Sequence, residues 1–322
     1  MTLPLLRRAL LVAPMSLGLP AMAQEAWPSR TVRIIVPYPP GGGSDVTARL
    51  VSPGLQAALG QPVVIDNRPG ATGIVGTEAA ARAAPDGYTL LLADMPHTIT
   101  PALNSSLPYN LVNDFAPVSI LGVAPMIMFA NPALPAADAA AFATMARARP
   151  DGFSYASAGI AGNTHLMAEL FQRETGIRMV HVPYRGSGPA VQDLAAGQVQ
   201  ILFTTMLTAA PLLQNNTIRA LGVASASRLP DLPDVPTFRE QGIDLIAEHW
   251  WGLLAPARTP EAVIVRLAAA IALAMAQPDL RPRLAQIGLV PRAGGPVAFA
   301  EQIRSDLTRW SDLVRTANIR LD

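Results

Sequence analysis

Two glycine-rich loops, each followed by residues that favour the start of a helix, are the segments of this sequence best suited to bind a ligand. They contain Gly41, Gly42, Gly43, Ser44 and Asp45 in one case and Ala158, Gly159, Gly162, Asn163, Thr164 and His165 in the other. Glycines let backbone N–H groups approach a ligand closely, and the following helix adds unpaired N–H donors and a partial positive charge. The loops therefore predict a site for a small carboxylate, unless they merely need a permissive backbone. The first loop lacks the G-x-G-x-x-G spacing of a dinucleotide site, and neighbouring prolines crowd its turn.

Further candidate side chains lie at predicted strand ends and in neighbouring loops. They are Asp94, His97, Arg185, Thr204 and Thr205. Asp94 and the two threonines follow corresponding strands of the two halves and either orient a ligand or have no such role. Arg185 either pairs with a ligand carboxylate or stays solvated at its loop tip. His97 either reaches the cleft or lies in a surface loop, and His165 either donates to a ligand or closes its helical turn. Ser44 and Asp45 are expected to cap the first helix, and Asn163 and Thr164 the second, so Asp45 is expected to be a cap rather than a general base.

Composition and spacing exclude several catalytic and cofactor classes. The sequence has no Cys, and all 24 of its basic residues are Arg. A thiol nucleophile, a disulfide, a Schiff-base lysine and a Walker lysine are therefore excluded. Residues 42–46 fail the G-x-S-x-G pattern at its last position, and the four histidines are not spaced as metal ligands. We predict no cofactor and no metal. The formal charge of +1, without any basic run, argues against a nucleic-acid partner.

The first 23 residues have the pattern of a cleaved secretory signal peptide. Arg7 and Arg8 precede an apolar stretch at 9–19, and Ala21-Met22-Ala23 is an A-x-A cleavage site that predicts a mature start at Gln24. The alternative is a membrane anchor, but the apolar run is shorter than the ~20 residues that a spanning helix needs. We therefore predict a periplasmic protein whose mature chain is nearly neutral and does not insert into a membrane.

Short apolar strands alternate with helices in the same order in two parts of the chain. In the first part, strands are predicted at 32–36, 63–65 and 88–93, with helices at 46–59 and up to residue 84. In the second part, strands are predicted at 153–157, 179–182 and 199–203, with helices at 165–175 and 189–196. Such alternation is typical of α/β folds with parallel strands, in which ligands bind beyond the carboxyl ends of the strands. We therefore predict two similar α/β lobes whose glycine loops share one cleft.

Two apolar segments, Val118–Pro132 and Glu248–Pro256, can cross between these lobes. The predicted organisation is 1–23 for the signal peptide, 24–122 plus 252–322 for lobe 1, and 123–251 for lobe 2. Closure is predicted near Gly122-Val123 and Trp251-Gly252. Trp250 and Trp251 are expected in the core or the hinge rather than stacked on a ligand.

Nearly the whole mature sequence resembles a known family, the Bug-type extracytoplasmic solute receptors of the tripartite tricarboxylate transporter systems. The resemblance lies in the ordered motifs VRIIVPYPPGGGSDVTAR, VVIDNRPGATG, PDGYTLLLA, LPYNLVNDFAPVSILG, SYASAGIAGNTHL, HVPYRGSGPAVQDLAAGQVQILF, LPDVPTFREQG and WWGLLAPARTP. It implies an α/β two-lobed periplasmic binding protein, type II-like, that closes on its ligand like a flytrap, with a parallel-rich sheet in each lobe and two crossover hinge strands. It also implies carboxylated ligands held by backbone amides, small hydroxyls and bridging waters, without catalysis.

The resemblance also assigns binding segments. Carried over by position, they are Tyr38–Asp45, Ala71-Thr72, Ala158–His165 and Thr204-Thr205. The sequence departs from the family at Asp94-Met95-Pro96-His97, where small polar residues are usual. An acidic Asp94 in the cleft would disfavour a nearby second carboxylate or would welcome an amine. Thr204 stands where some members have an acidic residue that reads an amino group.

The functional hypothesis is a monomeric periplasmic receptor that captures a small organic carboxylate and delivers it to integral-membrane transporter subunits. One alternative is a secreted enzyme that acts on a small carboxylate in the same cleft, with Asp45, Asp94 and the histidines as its only candidate groups. Another is a ligand-loaded signalling component that docks on a periplasmic sensor domain.

Overall fold

The computed structural model describes residues 27–292 and 294–320. The predicted signal peptide, residues 1–23, lies outside them. The strands are β1 Val32–Val36, β2 Val63–Asn67, β3 Thr89–Asp94, β4 Phe115–Pro125, β5 Ile127–Ala130, β6 Ser154–Ser157, β7 Val180–Pro183, β8 Ile201–Thr204, β9 Arg219–Val223, β10 Glu248–Pro256 and β11 Val290–Pro291. The helices are α1 Gly43–Leu59, α2 Ile74–Ala81, α3 Pro96–Leu103, α4 Ala139–Ala148, α5 Asn163–Thr175, α6 Ser187–Ala195, α7 Met206–Gln214, α8 Glu261–Met275, α9 Leu280–Gln286 and α10 Gly295–Thr316.

The strands form two sheets, and each sheet is the centre of one lobe. The six-stranded sheet of lobe 1 has the order β11-β4-β10-β3-β1-β2, and the five-stranded sheet of lobe 2 has the order β7-β6-β8-β5-β9. The predicted two-lobed α/β architecture is therefore confirmed. Helices α1–α3 and α8–α10 belong to lobe 1, and α4–α7 belong to lobe 2.

Each sheet is mixed rather than parallel-rich, which corrects the sequence-based expectation. Strand β1 is parallel to β2 and β3, and β6 is parallel to β7 and β8, as the alternating pattern predicts. The pairs that involve β4, β5 and β10 are antiparallel. Strands β4 and β10 lie in the lobe 1 sheet and β5 lies in the lobe 2 sheet, next to the points where the chain passes between the lobes. Antiparallel neighbours need no helical crossover.

The crossing points lie a few residues beyond the predicted hinge positions. The lobe 1 sheet extends through Pro125 and resumes at Glu248, so the chain crosses at Met126 and Ala247. The two crossings are bonded to each other, because the Met126 N–H donates to the Ala247 carbonyl at 3.2 Å. Gly122 and Gly252 lie inside the sheet, where a Cβ would come within 2.2 Å of Leu289 and 2.4 Å of Phe299 respectively. Close packing therefore explains these glycines.

Alternate residues of β1 face opposite layers of lobe 1. Ile34 packs in one cluster with residues of α1 and α8, whereas Ile35 belongs to a cluster that includes α3 and α10. That second cluster continues past Met126 to Phe171 and Phe203 of lobe 2, so the lobes share apolar packing on the side of α10.

Within the described residues, no single helix is long and apolar enough to cross a membrane. Helices α8 and α9 pass a length and composition test only as a pair, and they are bent by 81° relative to each other.

Candidate functional site

A cavity of about 770 Å³ lies between the lobes, at the carboxyl ends of the parallel strands. Its size is within the usual range of small-molecule sites. Lobe 1 contributes the loop after β1, the segment before α2 and residues along α3 from its first turn to its end. Lobe 2 contributes the loops after β6, β7 and β8, and strand β10 contributes two side chains between them. The two glycine loops therefore face one shared cleft.

The lobe 1 loop begins α1 without a side-chain cap. Gly42 is the N-cap, so Ser44 and Asp45 lie inside the first turn rather than at the predicted capping position. Asp45 instead accepts the backbone N–H of Gly41 at 2.9 Å, together with hydrogen bonds from Arg49 and Asn67. Burial alone would raise the pKa of Asp45, but these hydrogen bonds outweigh it and the pKa is lowered. An ionised Asp45 therefore holds the loop in place from behind.

The lobe 2 loop begins α5 in the same way. Gly162 is its N-cap, with φ −73° and ψ 169°, close to the −76° and 167° of Gly42. The predicted caps Asn163 and Thr164 are the first residues of the helix. Thr164 Oγ1 accepts the Ala158 N–H at 2.8 Å, and Asn163 Oδ1 accepts the Thr164 N–H at 3.0 Å. As in any helix, the first-turn N–H groups lack intrahelical acceptors, and both sets lie at the cavity.

Asp94, at the end of β3, organises the lobe 1 side of the cleft. It is buried, and it accepts hydrogen bonds from the Tyr38 hydroxyl at 2.8 Å and the Ser44 hydroxyl at 2.9 Å. His97 Nδ1 lies 2.8 Å from its Oδ1. Burial raises the pKa of Asp94, but the bond and charge of His97, the charge of His249 and the Tyr38 bond outweigh it, so the pKa is lowered. Asp94 is therefore an ionised carboxylate whose oxygens are already engaged.

Strand β10 connects this network to the opposite lobe. The indole Nε1–H of Trp251 donates to Ser44 Oγ at 3.0 Å, so Ser44 bridges Trp251 and Asp94. His249 Nδ1 lies 3.3 Å from the amide Nδ2 of Asn163 in lobe 2. Burial lowers the pKa of His249. His249 and Trp251, which form the floor of the cleft, are therefore hydrogen-bonded to the loops of both lobes.

His97 and His165 support the loops from outside the cavity lining. His97 Nε2 lies 3.1 Å from Thr77 Oγ1, so the ring connects α2 to Asp94. His165 Nδ1 accepts the backbone N–H of Ala161 at 2.8 Å. The His165 ring stacks on His181 with centroids 3.9 Å apart, and His181 stacks in turn on Tyr155. The cluster behind the lobe 2 loop is thus packed and hydrogen-bonded rather than open to a ligand.

The structure brings together most, but not all, of the predicted site residues. Those that line the cavity are Tyr38, Gly42, Gly43, Ser44, Ala71, Thr72, Asp94, Gly162, Asn163, Thr164, Thr204 and Thr205. Those outside its lining are Gly41, Asp45, His97, Ala158, Gly159, His165 and Arg185. Asp45, His97 and His165 turn back onto their own lobes, and Gly41 adopts a positive φ of 85° to make the turn. Arg185 is exposed at its loop tip.

Sequence reasoning missed several lining residues. They are Ile74, Pro96, Ile99, Thr100, Leu103, Asn104, Gly186, Ser187, Leu207, Thr208, His249 and Trp251. Ile160 and Ala161 also line the cavity and lie within the segment Ala158–His165 that the resemblance assigned. Gly186 and Ser187 belong to a glycine loop visible in the sequence. The apolar members had no such signal, because an apolar side chain on a helix is usually explained by core packing. Among the described residues, no group of three His, Asp or Glu side chains is placed to hold a metal ion.

Two mixed sheets with a cleft between them, joined by two crossing strands, define the class of two-lobed periplasmic binding proteins. The family model described as the tripartite tricarboxylate transporter family receptor, TctC, matches residues 47–319. The chain belongs to this family of receptors, which confirms the resemblance in the sequence motifs.

Similar proteins agree with this assignment. Protein BugT of Bordetella pertussis is 36% identical over 313 residues, covering 96% of each chain. The solved structure of R. palustris Rpa4515 with adipate is 32% identical, with a TM-score of 0.77, and covers 91% of this chain and 99% of that one. MatC from Rhodopseudomonas palustris with bound malate is 34% identical, with a TM-score of 0.73, and covers 89% of this chain and 100% of that one.

Proposed function

We propose that this receptor captures a small organic carboxylate in the periplasm and delivers it to the integral-membrane subunits of a tripartite tricarboxylate-type transporter. The observation that carries the proposal is the shared cavity, into which α1 and α5 direct their glycine-capped N-termini from opposite lobes. Adipate and malate, the ligands of the similar structures of Rpa4515 and MatC, are both carboxylates. Export through a cleaved signal peptide is part of the proposal and rests on residues 1–23.

Backbone donors supply the recognition. Each helix N-terminus favours an anion by ~0.3–1 kcal/mol when exposed and by up to ~2 kcal/mol when partly buried. The hydroxyls of Thr164, Thr204 and Thr205 add donors beside these N–H groups. Because the donors come from both lobes, a bound carboxylate is held most completely when the lobes close on it. We propose that closure occurs about the crossings at Met126 and Ala247.

The side chains that could perform acid–base chemistry have structural partners. Asp45 and His165 each hold a loop N–H, and Asp94 accepts from two hydroxyls and contacts His97. Asp45, His97 and His165 do not line the cavity. This arrangement supports binding without turnover and weakens the alternative of a secreted enzyme.

Mass spectrometry under native conditions, followed by denaturation and identification of the released small molecule, tests the proposal directly. We expect a carboxylate to copurify, or a screen of carboxylates to raise the melting temperature. A ligand at 100 times its Kd stabilises the folded state by ~2.7 kcal/mol. X-ray scattering should show a more compact particle with the same ligand. A broad carboxylate screen without stabilisation, or conversion of a bound acid into product, would contradict the proposal.

A further inference from the structure

Three of the four hydroxyl groups on the lobe 1 side of the cavity already donate to protein acceptors, and within the described residues only that of Thr72 makes no hydrogen bond. The Tyr38 and Ser44 hydroxyls both donate to Asp94, and the Thr100 hydroxyl donates to the backbone carbonyl of Pro96 at 2.9 Å. Ser44 Oγ also accepts from Trp251. A ligand carboxylate on this side would therefore have to compete with bonds inside the protein for these hydroxyl donors.

Lobe 1 also presents a fixed carboxylate to the cavity. Asp94 lines it and has a lowered pKa, whereas His97, whose Nδ1 lies 2.8 Å from Asp94 Oδ1, is outside the lining. A second acid, Asp45, occupies the first turn of α1, and its partner Arg49 is also outside the lining. The N-terminus of α1 therefore has Asp45 within its first turn, behind the lining, and Asp94 beside Ser44. His249 Nε2 lies 4.0 Å from Asp94 Oδ2, beyond hydrogen-bond distance, and burial lowers the pKa of its ring.

Lobe 2 has the opposite character. Ser187, Thr204, Thr205 and Thr208 line the cavity, and no hydrogen bond within the described residues engages their hydroxyls. Thr164 Oγ1 accepts from Ala158 and keeps its own hydrogen available. The first turn of α5 contains no acidic residue. Most of the unengaged hydroxyl donors are therefore in this lobe, beside a helix N-terminus that has no acidic residue in its first turn.

Apolar side chains form the remaining wall of the cavity. The lobe 1 part of this wall consists of Ile74, Ile99 and Leu103, and Leu207 and Trp251 lie beside the α1 N-terminus, each 3.6 Å from a Cβ placed on Gly43. Asn104 follows Leu103, but its amide is uncharged and its Oδ1 accepts the Ser106 N–H. No arginine lines the cavity among the described residues. A second ligand carboxylate against this wall would lose hydration without gaining a cation.

Building on the proposed function, we infer that the ligand is a monocarboxylate with an apolar body. Its carboxylate binds the α5 N-terminus and the lobe 2 hydroxyls, and its body lies against Ile74, Ile99 and Leu103 of lobe 1. Dicarboxylates of the same length are disfavoured, because their second carboxylate would meet the apolar wall and the charge of Asp94.

Calorimetric titration with matched pairs of acids tests this inference. The pairs are hexanoate with adipate and 4-methylbenzoate with terephthalate, each differing by one carboxylate. We expect the monocarboxylate of at least one pair to bind about tenfold or more tightly than its partner at neutral pH, a difference equivalent to ~1.4 kcal/mol. Leu103→Asn should weaken the monocarboxylate and reduce the ratio within the pair. Leu273→Asn, at a residue that is 63% exposed on α8, is the matched control and should leave both affinities unchanged.

Two further variants keep the test independent of any one substitution. Thr208→Val removes a lobe 2 hydroxyl and should weaken all carboxylates, whereas Asp94→Asn should improve the dicarboxylates relative to the monocarboxylates. Equal or tighter binding of the dicarboxylates, stabilisation by citrate or other polycarboxylates only, or a ratio that Leu103→Asn leaves unchanged would overturn the inference and leave the proposed function intact. A failure of every carboxylate to bind would instead refute the proposed function.

Discussion

Asp45 and His165 occupy the same position in the two lobes and make the same hydrogen bond. Each lies in the first turn of its helix and accepts the backbone N–H of the residue four positions earlier, Gly41 at 2.9 Å and Ala161 at 2.8 Å. Gly41 and Ala161 both adopt a positive φ, of 85° and 60°. The two lobes therefore share one loop geometry, which a carboxylate maintains in lobe 1 and an imidazole in lobe 2.

Replacing Asp45 by Ala should loosen the lobe 1 loop and weaken ligand binding without removing a residue that lines the cavity. The loss of a buried carboxylate leaves the Gly41 N–H and the Asn67 amide without their acceptor. We expect the free energy of unfolding to fall by ~1–3 kcal/mol, measured by denaturant titration. Asp244→Ala, which removes only an exposed ion pair with Arg239, is the control and should cost less than ~1 kcal/mol. Equal effects of the two substitutions would contradict the role given to Asp45.

Ser44 and Trp251 should be energetically coupled. Ser44→Ala leaves the indole N–H and one oxygen of Asp94 without a partner, whereas Trp251→Phe removes the indole donor together with part of the buried ring. A double-mutant cycle on unfolding free energy should give a coupling of ~0.5–3 kcal/mol, because the residues belong to one network. Additive effects would show that the Trp251 bond contributes nothing to the cleft floor.

The loop positions show how much of this site could be predicted. Glycines at 41–43 and 159–162 revealed both loops and their shared cleft, because few other residues allow backbone N–H groups to approach a ligand. The predicted N-caps were wrong. Gly42 and Gly162 are the N-caps of α1 and α5, and the side chains of Ser44, Asp45, Asn163 and Thr164 form hydrogen bonds elsewhere. Residue type alone cannot indicate whether Asp45 points into a cleft or behind it. The same limit hid the apolar wall at Ile99 and Leu103, whose pattern on α3 is that of an ordinary amphipathic helix.

His181 should make the protein less stable as the pH falls below about 6.5. Burial and the charge of the stacked His165 lower the pKa of His181 to about 4, and the charge of Glu169 opposes this only in part. The folded state therefore binds this proton less strongly than the unfolded state, so the stabilisation is complete above pH ~6.5 and is lost between ~6.5 and about 4. Because the ring is partly exposed, we expect a change on the order of 1–2 kcal/mol.

The variant His181→Asn isolates this contribution from the carboxylates that titrate in the same range. Asp45, Asp94 and Glu169 all have lowered pKa values and remain in the variant. Their stabilisation is present above their unfolded pKa values, near 4, and is lost as the pH falls below them. Denaturant titrations at pH 7 and pH 5 should therefore show a smaller decrease for the variant than for the wild type. Identical decreases would contradict the assignment to His181.

Gly252→Ala should be strongly destabilising, and Gly188→Ala provides its matched control. A Cβ at residue 252 would lie 2.4 Å from the Phe299 ring, whereas one at residue 188 meets nothing within 4 Å. Overpacking typically costs ~1–3 kcal/mol, whereas Gly188, in helix α6, should gain ~0.5–1 kcal/mol from Ala. In thermal denaturation, Gly252→Ala should therefore lower the melting temperature, and Gly188→Ala should not. An unchanged melting temperature for Gly252→Ala would show that β10 and α10 are not closely packed.

The apolar packing that continues from the lobe 1 sheet past Met126 to Phe171 and Phe203 has a thermodynamic consequence. Neither half of the protein can lose its tertiary structure without exposing hydrophobic surface that the other half covers. Calorimetry should therefore record one endothermic transition, with equal van't Hoff and calorimetric enthalpies, instead of two separate melts.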